Sequence, residues 1–243
     1  MTLLSVRDVE VRHGLLRAVR RVSFEIAKGE TVAFVGANGA GKTTLLRSIA
    51  GAHLPVGGSI SFDGVDVTHV PAYLRVRSGI ALVPEGRRLF ADLSVTENLL
   101  LGRAARGNGP WTFDTVMDAL PQLREVRNSL AKNLSGGQQQ AVAIGRALMT
   151  NPSLLLLDEI SLGLSPVAVD GVYAAIRKLI ALGTTIVLVE QNLDRAVAVA
   201  DRLICMLEGS VVLQGRPSEF DRARITEAYF GLAASASASG AHP

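Results

Sequence analysis

Eight consecutive residues, Gly36-Ala37-Asn38-Gly39-Ala40-Gly41-Lys42-Thr43, carry the densest chemical information in the sequence. Glycines in such a run let backbone N–H groups turn inward around an anion, and a helix beginning at Lys42 aims its positive end at the same point. Lys42 supplies a compact charge for the terminal phosphates of a nucleoside triphosphate. The Thr43 hydroxyl is a candidate Mg²⁺ ligand, and Thr44 extends the cradle. A glycine-rich turn with a chance Lys-Thr is the plain alternative. The apolar run Thr31–Val35 in front and the helical stretch from about Lys42 to Ala50 behind favour the phosphate loop, because strand, loop and helix must follow in that order.

A second cluster is Leu154-Leu-Leu-Leu-Asp158-Glu159, an apolar strand ending in two carboxylates. Asp158 suits a water-mediated magnesium contact, and Glu159 suits the polarisation of an attacking water. Alone, a buried strand ending in surface acids would be unremarkable; beside a phosphate loop the catalytic reading gains weight. A third cluster is Leu134-Ser135-Gly136-Gly137-Gln138-Gln-Gln140, opening a helix. Ser135 and the glycine amides offer donors at a helix N-terminus, which serves equally an anion or an ordinary N-cap.

Phosphate loops occur in many nucleotide enzymes, but the Ser-Gly-Gly-Gln run ahead of Asp158-Glu159 resembles the signature of ABC ATPases. The resemblance covers residues 3 to about 232. It implies an α/β P-loop fold with a mostly parallel core sheet, an N-terminal antiparallel β subdomain and an inserted helical subdomain at about 86–150. It also implies ATP hydrolysis with Mg²⁺. Two such domains would close head to tail, Ser135 and Gly137 touching the γ-phosphate held by the partner's phosphate loop, with Gly136 and Gln138 beside them.

Three positions depart from the commonest family residues. His13, before Gly14, stands where an aromatic usually stacks on adenine; it could stack or be an exposed turn histidine. Glu85, in Val83-Pro-Glu-Gly-Arg-Arg-Leu-Phe90, replaces the usual Gln and could reach the magnesium, or pair at the surface with Arg87 or Arg88. Gln191, in Glu190-Gln-Asn192, replaces the usual His. Its amide donates a similar hydrogen bond but carries no charge; a strand-end polar residue with no role is the alternative. Together with Ser161-Leu-Gly-Leu-Ser-Pro166, these motifs resemble the shorter ATPase subunit of branched-chain amino-acid importers, although Gln138 stands where that subgroup commonly has Glu. The resemblance implies a second ATPase subunit, membrane permeases and, indirectly, a periplasmic binding protein, at the cytoplasmic face of a bacterial inner membrane. Urea, amides, aromatic acids or a lipid remain alternative cargoes, because the cargo never touches this chain.

The elements that must position these groups read as follows. Leu3–Val6, Val9–Arg12 and Val22–Ile26 are three short β-like runs. Ser59–Phe62, Gly79–Val83, Leu154–Leu157 and Thr184–Val189 are further strands. Helical patterning covers Thr96–Leu101, Phe113–Leu120, Gly137–Leu148, Val167–Leu182 and Leu193–Ala200, with a loop at 107–110. Alternating strands and helices predict a mostly parallel sheet. Residues 1–232 form one ATPase domain, and 233–243 read as a low-complexity, disordered tail.

Lys plus Arg number 25 against 22 Asp plus Glu, a net charge of +3 that gives no ground for nucleic-acid binding. Long coiled-coil insertions and paired cassettes, which would suit a ribosome- or DNA-directed ABC protein, do not fit in 243 residues. Apolar residues make up 48% of the chain, yet no run approaches the ~20 a membrane span requires. No secretory signal is read at the start. The single Cys205 lies in an apolar run, where a buried thiol is expected.

Overall fold

The computed structural model describes residues 1–105 and 109–231. The expected loop at 107–110 falls partly outside them, and the 233–243 tail entirely. The chain opens with two long strands, β1 (Thr2–His13) and β2 (Leu16–Ala27). The runs Leu3–Val6 and Val9–Arg12 are therefore one strand. Between them the β1–β2 register shifts, and Asp8 takes a left-handed φ of 48°, a bulge that interrupts the period-2 pattern without ending the strand. These strands pair with β4 (Gly57–Phe62) and β5 (Val65–Asp66) in a four-stranded antiparallel sheet ordered β2-β1-β4-β5.

The second sheet uses β3 (Thr31–Val35), β6 (Ile80–Val83), β7 (Leu154–Asp158), β8 (Thr185–Val189), β9 (Arg202–Leu207) and β10 (Ser210–Gly215). Its order is β10-β9-β3-β8-β7-β6, parallel except for the β9–β10 hairpin. All five residues of β3, β7 and β8 are buried, as expected of central parallel strands covered on both faces. Cys205 lies buried in β9.

Helices α1 (Lys42–Ile49), α6 (Pro166–Ala181) and α7 (Leu193–Val197) follow β3, β7 and β8. Between β6 and β7 the chain runs through α3 (Val95–Arg103), α4 (Phe113–Ala119) and α5 (Gly136–Leu148). Leu99, Val116, Leu120, Leu123 and Ile144 pack these helices into one apolar cluster with β7 and α6. Two helices carry no clear amphipathic signal in the sequence. In α2 (Ala72–Ser78) the buried side chain is an arginine, and α8 (Arg222–Phe230) buries only Ile225.

Four adjacent parallel strands end level on one edge of the sheet. Phe34 of β3 pairs with Val189 of β8, Val189 with Asp158 of β7, and Leu157 of β7 with Val83 of β6. The glycine-rich loop, Gln191, Asp158-Glu159 and Glu85 therefore emerge side by side at the carboxyl ends, where open α/β sheets bind ligands.

Candidate active site

The glycine-rich loop wraps tightly because two of its turns leave no room for a side chain. Gly36 has φ 146°, and a Cβ there would stand 2.2 Å from the carbonyl oxygen of Met206 in β9. Gly41, left-handed at φ 97°, would place one 2.3 Å from the carbonyl oxygen of Ala18. The loop is thus seated between the two sheets. Lys42, first residue of α1 and buried, donates from Nζ to the carbonyls of Gly36 (2.6 Å) and Ala37 (2.9 Å). Burial lowers its pKa, while Glu159 and Asp158 pull it back up.

Asp158 is wholly buried. Its Oδ1 accepts the Thr43 hydroxyl at 2.8 Å. Among the described residues its Oδ2 has no hydrogen-bond partner; the Arg47 Nε is 4.0 Å away. Burial raises its pKa, with the Thr43 bond and Arg47 opposing. An orphaned carboxylate oxygen beside a threonine hydroxyl fits a magnesium site completed by phosphate and water oxygens. Among the described residues no group of three His, Cys, Asp or Glu could form an all-protein cage.

Glu159 is half-buried in a left-handed conformation, φ 46°, which turns its side chain off the end of β7. Its Oε2 accepts Gln191 Nε2 at 2.6 Å. Burial raises the Glu159 pKa, and the Gln191 bond and Lys42 lower it. Gln191 thus contacts Glu159 directly, a pairing that sequence spacing alone did not indicate.

A cleft of about 500 Å³ collects Asn38, Gly39, Ala40, Gly41, Lys42, Thr43 and Thr44 with His13, Glu85, Glu159 and Gln191. His13 stands at its lip. Its Nε2 is 3.2 Å from Thr44 Oγ1, and its ring meets His53 edge-on at 4.5 Å. His53 has no motif to mark it and escapes a reading of the sequence. Glu85 is exposed toward the cleft and makes no ion pair with Arg87 or Arg88 among the described residues. Arg87 instead donates to Gln139 Oε1 (2.8 Å), and the carbonyls of Arg87 and Arg88 accept from Arg146.

Ser135, Gly136, Gly137 and Gln138 are not in this cleft. Ser135 and Gly137 border a separate hollow of about 600 Å³ with Gln122, Ala168 and Val172. Ser135 caps α5: its hydroxyl accepts the Gln138 N–H at 3.3 Å, and Gln138 Oε1 accepts the Ser135 N–H at 3.0 Å. Gln138 therefore performs the capping-box role that Glu would, without its charge.

Two buried charged residues went unassigned in the sequence. Glu190, 3% exposed, sits under Gln191. Arg75 of α2 donates to the carbonyls of Ser48 and Ile49 at the end of α1 (2.8 Å each), and to those of Thr68 and Val70. The signal for Glu190 was a charge directly after the four buried apolar residues 186–189; Arg75 had none.

The ABC transporter family pattern matches residues 19–161. The high-affinity branched-chain amino acid transport ATP-binding protein BraG of Pseudomonas aeruginosa is 40% identical over 94% of this chain and all of its own length. The probable branched-chain amino acid transport ATP-binding protein LivF of Archaeoglobus fulgidus is 36% identical over 88% of this chain and 93% of its own. The Nod factor export ATP-binding protein I of Rhizobium etli is 35% identical over 90% of this chain and 70% of its own. Among solved structures, a nucleotide-free ATP-binding cassette from an ABC transporter superposes with a TM-score of 0.83 at 28% identity, covering 95% of this chain and all of that one. A dimeric post-hydrolysis ATP-binding cassette bound to ADP and Pi gives 0.77 at 25% identity, covering 88% and 98%.

Proposed function

From the premise that this chain belongs to the ABC transporter family and is an ATP-hydrolysing subunit, we propose that it powers an importer of branched-chain or other hydrophobic amino acids. The observation that carries this reading is the match to BraG along that protein's whole length. The export ATPase for Nod factor among the relatives keeps other cargoes as the competing reading.

In this reading the backbone of Gly36–Thr44 and Lys42 hold the triphosphate, and His13 forms the platform for the base. Thr43, Asp158 and Glu85 would hold a magnesium ion, which would supply neutralisation of the phosphate charge. Glu159 orients and polarises the attacking water, and Gln191 holds Glu159 while its amide faces the γ-phosphate. Ser135, Gly136, Gly137 and Gln138 serve the nucleotide on a second ATPase subunit, whose own signature completes this site. That division is supported by their separation from the Lys42 cleft.

Helices α3–α5 act as a subdomain that carries the signature. A groove of about 530 Å³ lined by Leu82, Pro84, Arg88, Phe90, Leu101 and Arg146 is the docking face for a membrane permease, next to Glu85. The subunit then lies on the cytoplasmic face of the bacterial inner membrane, with a periplasmic binding protein acting through the permease. No helix among the described residues is long and apolar enough to cross a membrane.

Copurification with the membrane partners, reconstitution in liposomes and measurement of ATP turnover test this function. Leucine delivered by the cognate binding protein should stimulate turnover several-fold. Stimulation by urea, amides or aromatic acids but not leucine would move the subunit to another cargo.

A further inference from the structure

Glu190 directly follows β8 and is buried, yet among the described residues its contacts are to hydroxyls and amides rather than to a cation. Its Oε2 accepts the Ser161 hydroxyl at 2.9 Å and the Tyr173 hydroxyl. Its Oε1 accepts the backbone N–H groups of Gln191 (3.0 Å) and Asn192 (2.9 Å). Four donors on one buried carboxylate satisfy its charge and fix its place, as a fully paired polar network does in a low-dielectric interior. Burial and the Glu190 charge hold the Tyr173 pKa far above its ordinary range, so that hydroxyl remains a donor.

The partners of Glu190 lie on both sides of the Glu159–Gln191 pair. Gln191 is bound through its own backbone. Ser161 belongs to the turn that leaves Glu159, a turn closed by the Leu162 N–H to Glu159 carbonyl bond at 3.1 Å. Tyr173 anchors the assembly to the middle of α6. One carboxylate thus ties the loop bearing the candidate water-activating residue, the loop bearing its amide partner, and a rigid helix. Glu190, Ser161 and Tyr173 themselves do not line the cleft around Lys42 and His13.

We propose that Glu190, held by Tyr173 and Ser161, is a positioning residue that fixes Gln191 against Glu159 and so governs hydrolysis rather than ATP affinity. It rests on the roles given above to Glu159 and Gln191. Displacing a reacting group by a fraction of an ångström costs rate far more than binding.

The test uses the full chain with its membrane partners and compares Tyr173→Phe, Ser161→Ala and Ser161→Thr with wild type. Tyr173→Phe and Ser161→Ala should each lower kcat about tenfold with KM for ATP within about twofold, the pattern of a lost transition-state contact. Ser161→Thr, which keeps the hydroxyl, should restore kcat to within about twofold of wild type. Hydrogen exchange at the Gln191 and Asn192 amides, read in the isolated chain without turnover, should quicken about tenfold in Tyr173→Phe. Wild-type kcat in Tyr173→Phe, a loss carried by KM, or unchanged exchange at both amides would each overturn the proposal. A wild-type assembly without ATP turnover would instead sink the roles of Glu159 and Gln191, and the exchange measurement would still decide the positioning.

Discussion

At the scale of single residues, the site sets opposing influences on one carboxylate. Burial raises the Glu159 pKa, and the amide of Gln191, 2.6 Å away, lowers it. Only the ionised form polarises water, so kcat should fall as pH drops through that raised pKa. Because the folded pKa is raised, ionisation of Glu159 also costs folding stability as pH rises through the same window. Gln191→Leu removes the opposing hydrogen bond, so its acid limb should move to higher pH and its kcat fall about 10- to 100-fold. Gln191→His can still donate and should keep measurable turnover. A pH–rate series on the three proteins checks this. Equal rates for Leu and His would show that the side chain at 191 is idle.

At the scale of elements, positioning comes from strand ends and from the clamps on the helices behind them. The phosphate-loop helix α1 is only eight residues long and ends in carbonyls that need partners. Arg75 supplies them from α2, the helix that leads into β6 and the Glu85 loop. Burial lowers the Arg75 pKa to about 10, which leaves it cationic at neutral pH. Arg75→Met should cost about 3 kcal/mol, because the carbonyls it satisfies would remain buried without donors. Urea unfolding measures it, and an unchanged midpoint would show that water replaces the guanidinium. Asn98 clamps the loop after Glu85 in the same way. Its side chain accepts from the Phe90 N–H and donates to the carbonyls of Phe90, Leu93 and Ser94.

At the scale of the molecule, the Ser135 turn and the glycine-rich loop of one chain face different hollows, as the proposed head-to-tail pairing of two ATPase subunits requires. Ser135→Arg puts a bulky cation on the signature, away from the Lys42 cleft. ATP binding to the isolated chain should stay within about twofold, while turnover of the assembled transporter falls at least about 100-fold. Nucleotide titration and a phosphate-release assay separate the two. Retained turnover would sink the head-to-tail arrangement.

Much of this was legible in the amino-acid order because it depends on local spacing. The phosphate loop, the strand ending in Asp158-Glu159 and the Ser135 cap need only neighbouring residues, and the buried parallel strands announce themselves as apolar runs. The split of Leu3–Arg12 into two strands failed because a bulge at Asp8 shifts the period without ending the pairing. What only the tertiary structure decided are contacts between distant segments. The order β3-β8-β7-β6 sets Gln191 beside Glu159. Arg75 finds the end of α1, and Glu190 gathers Ser161 and Tyr173. Such groups leave no periodic trace, because one buried charge is satisfied by whichever donors or acceptors the packed chain brings to it.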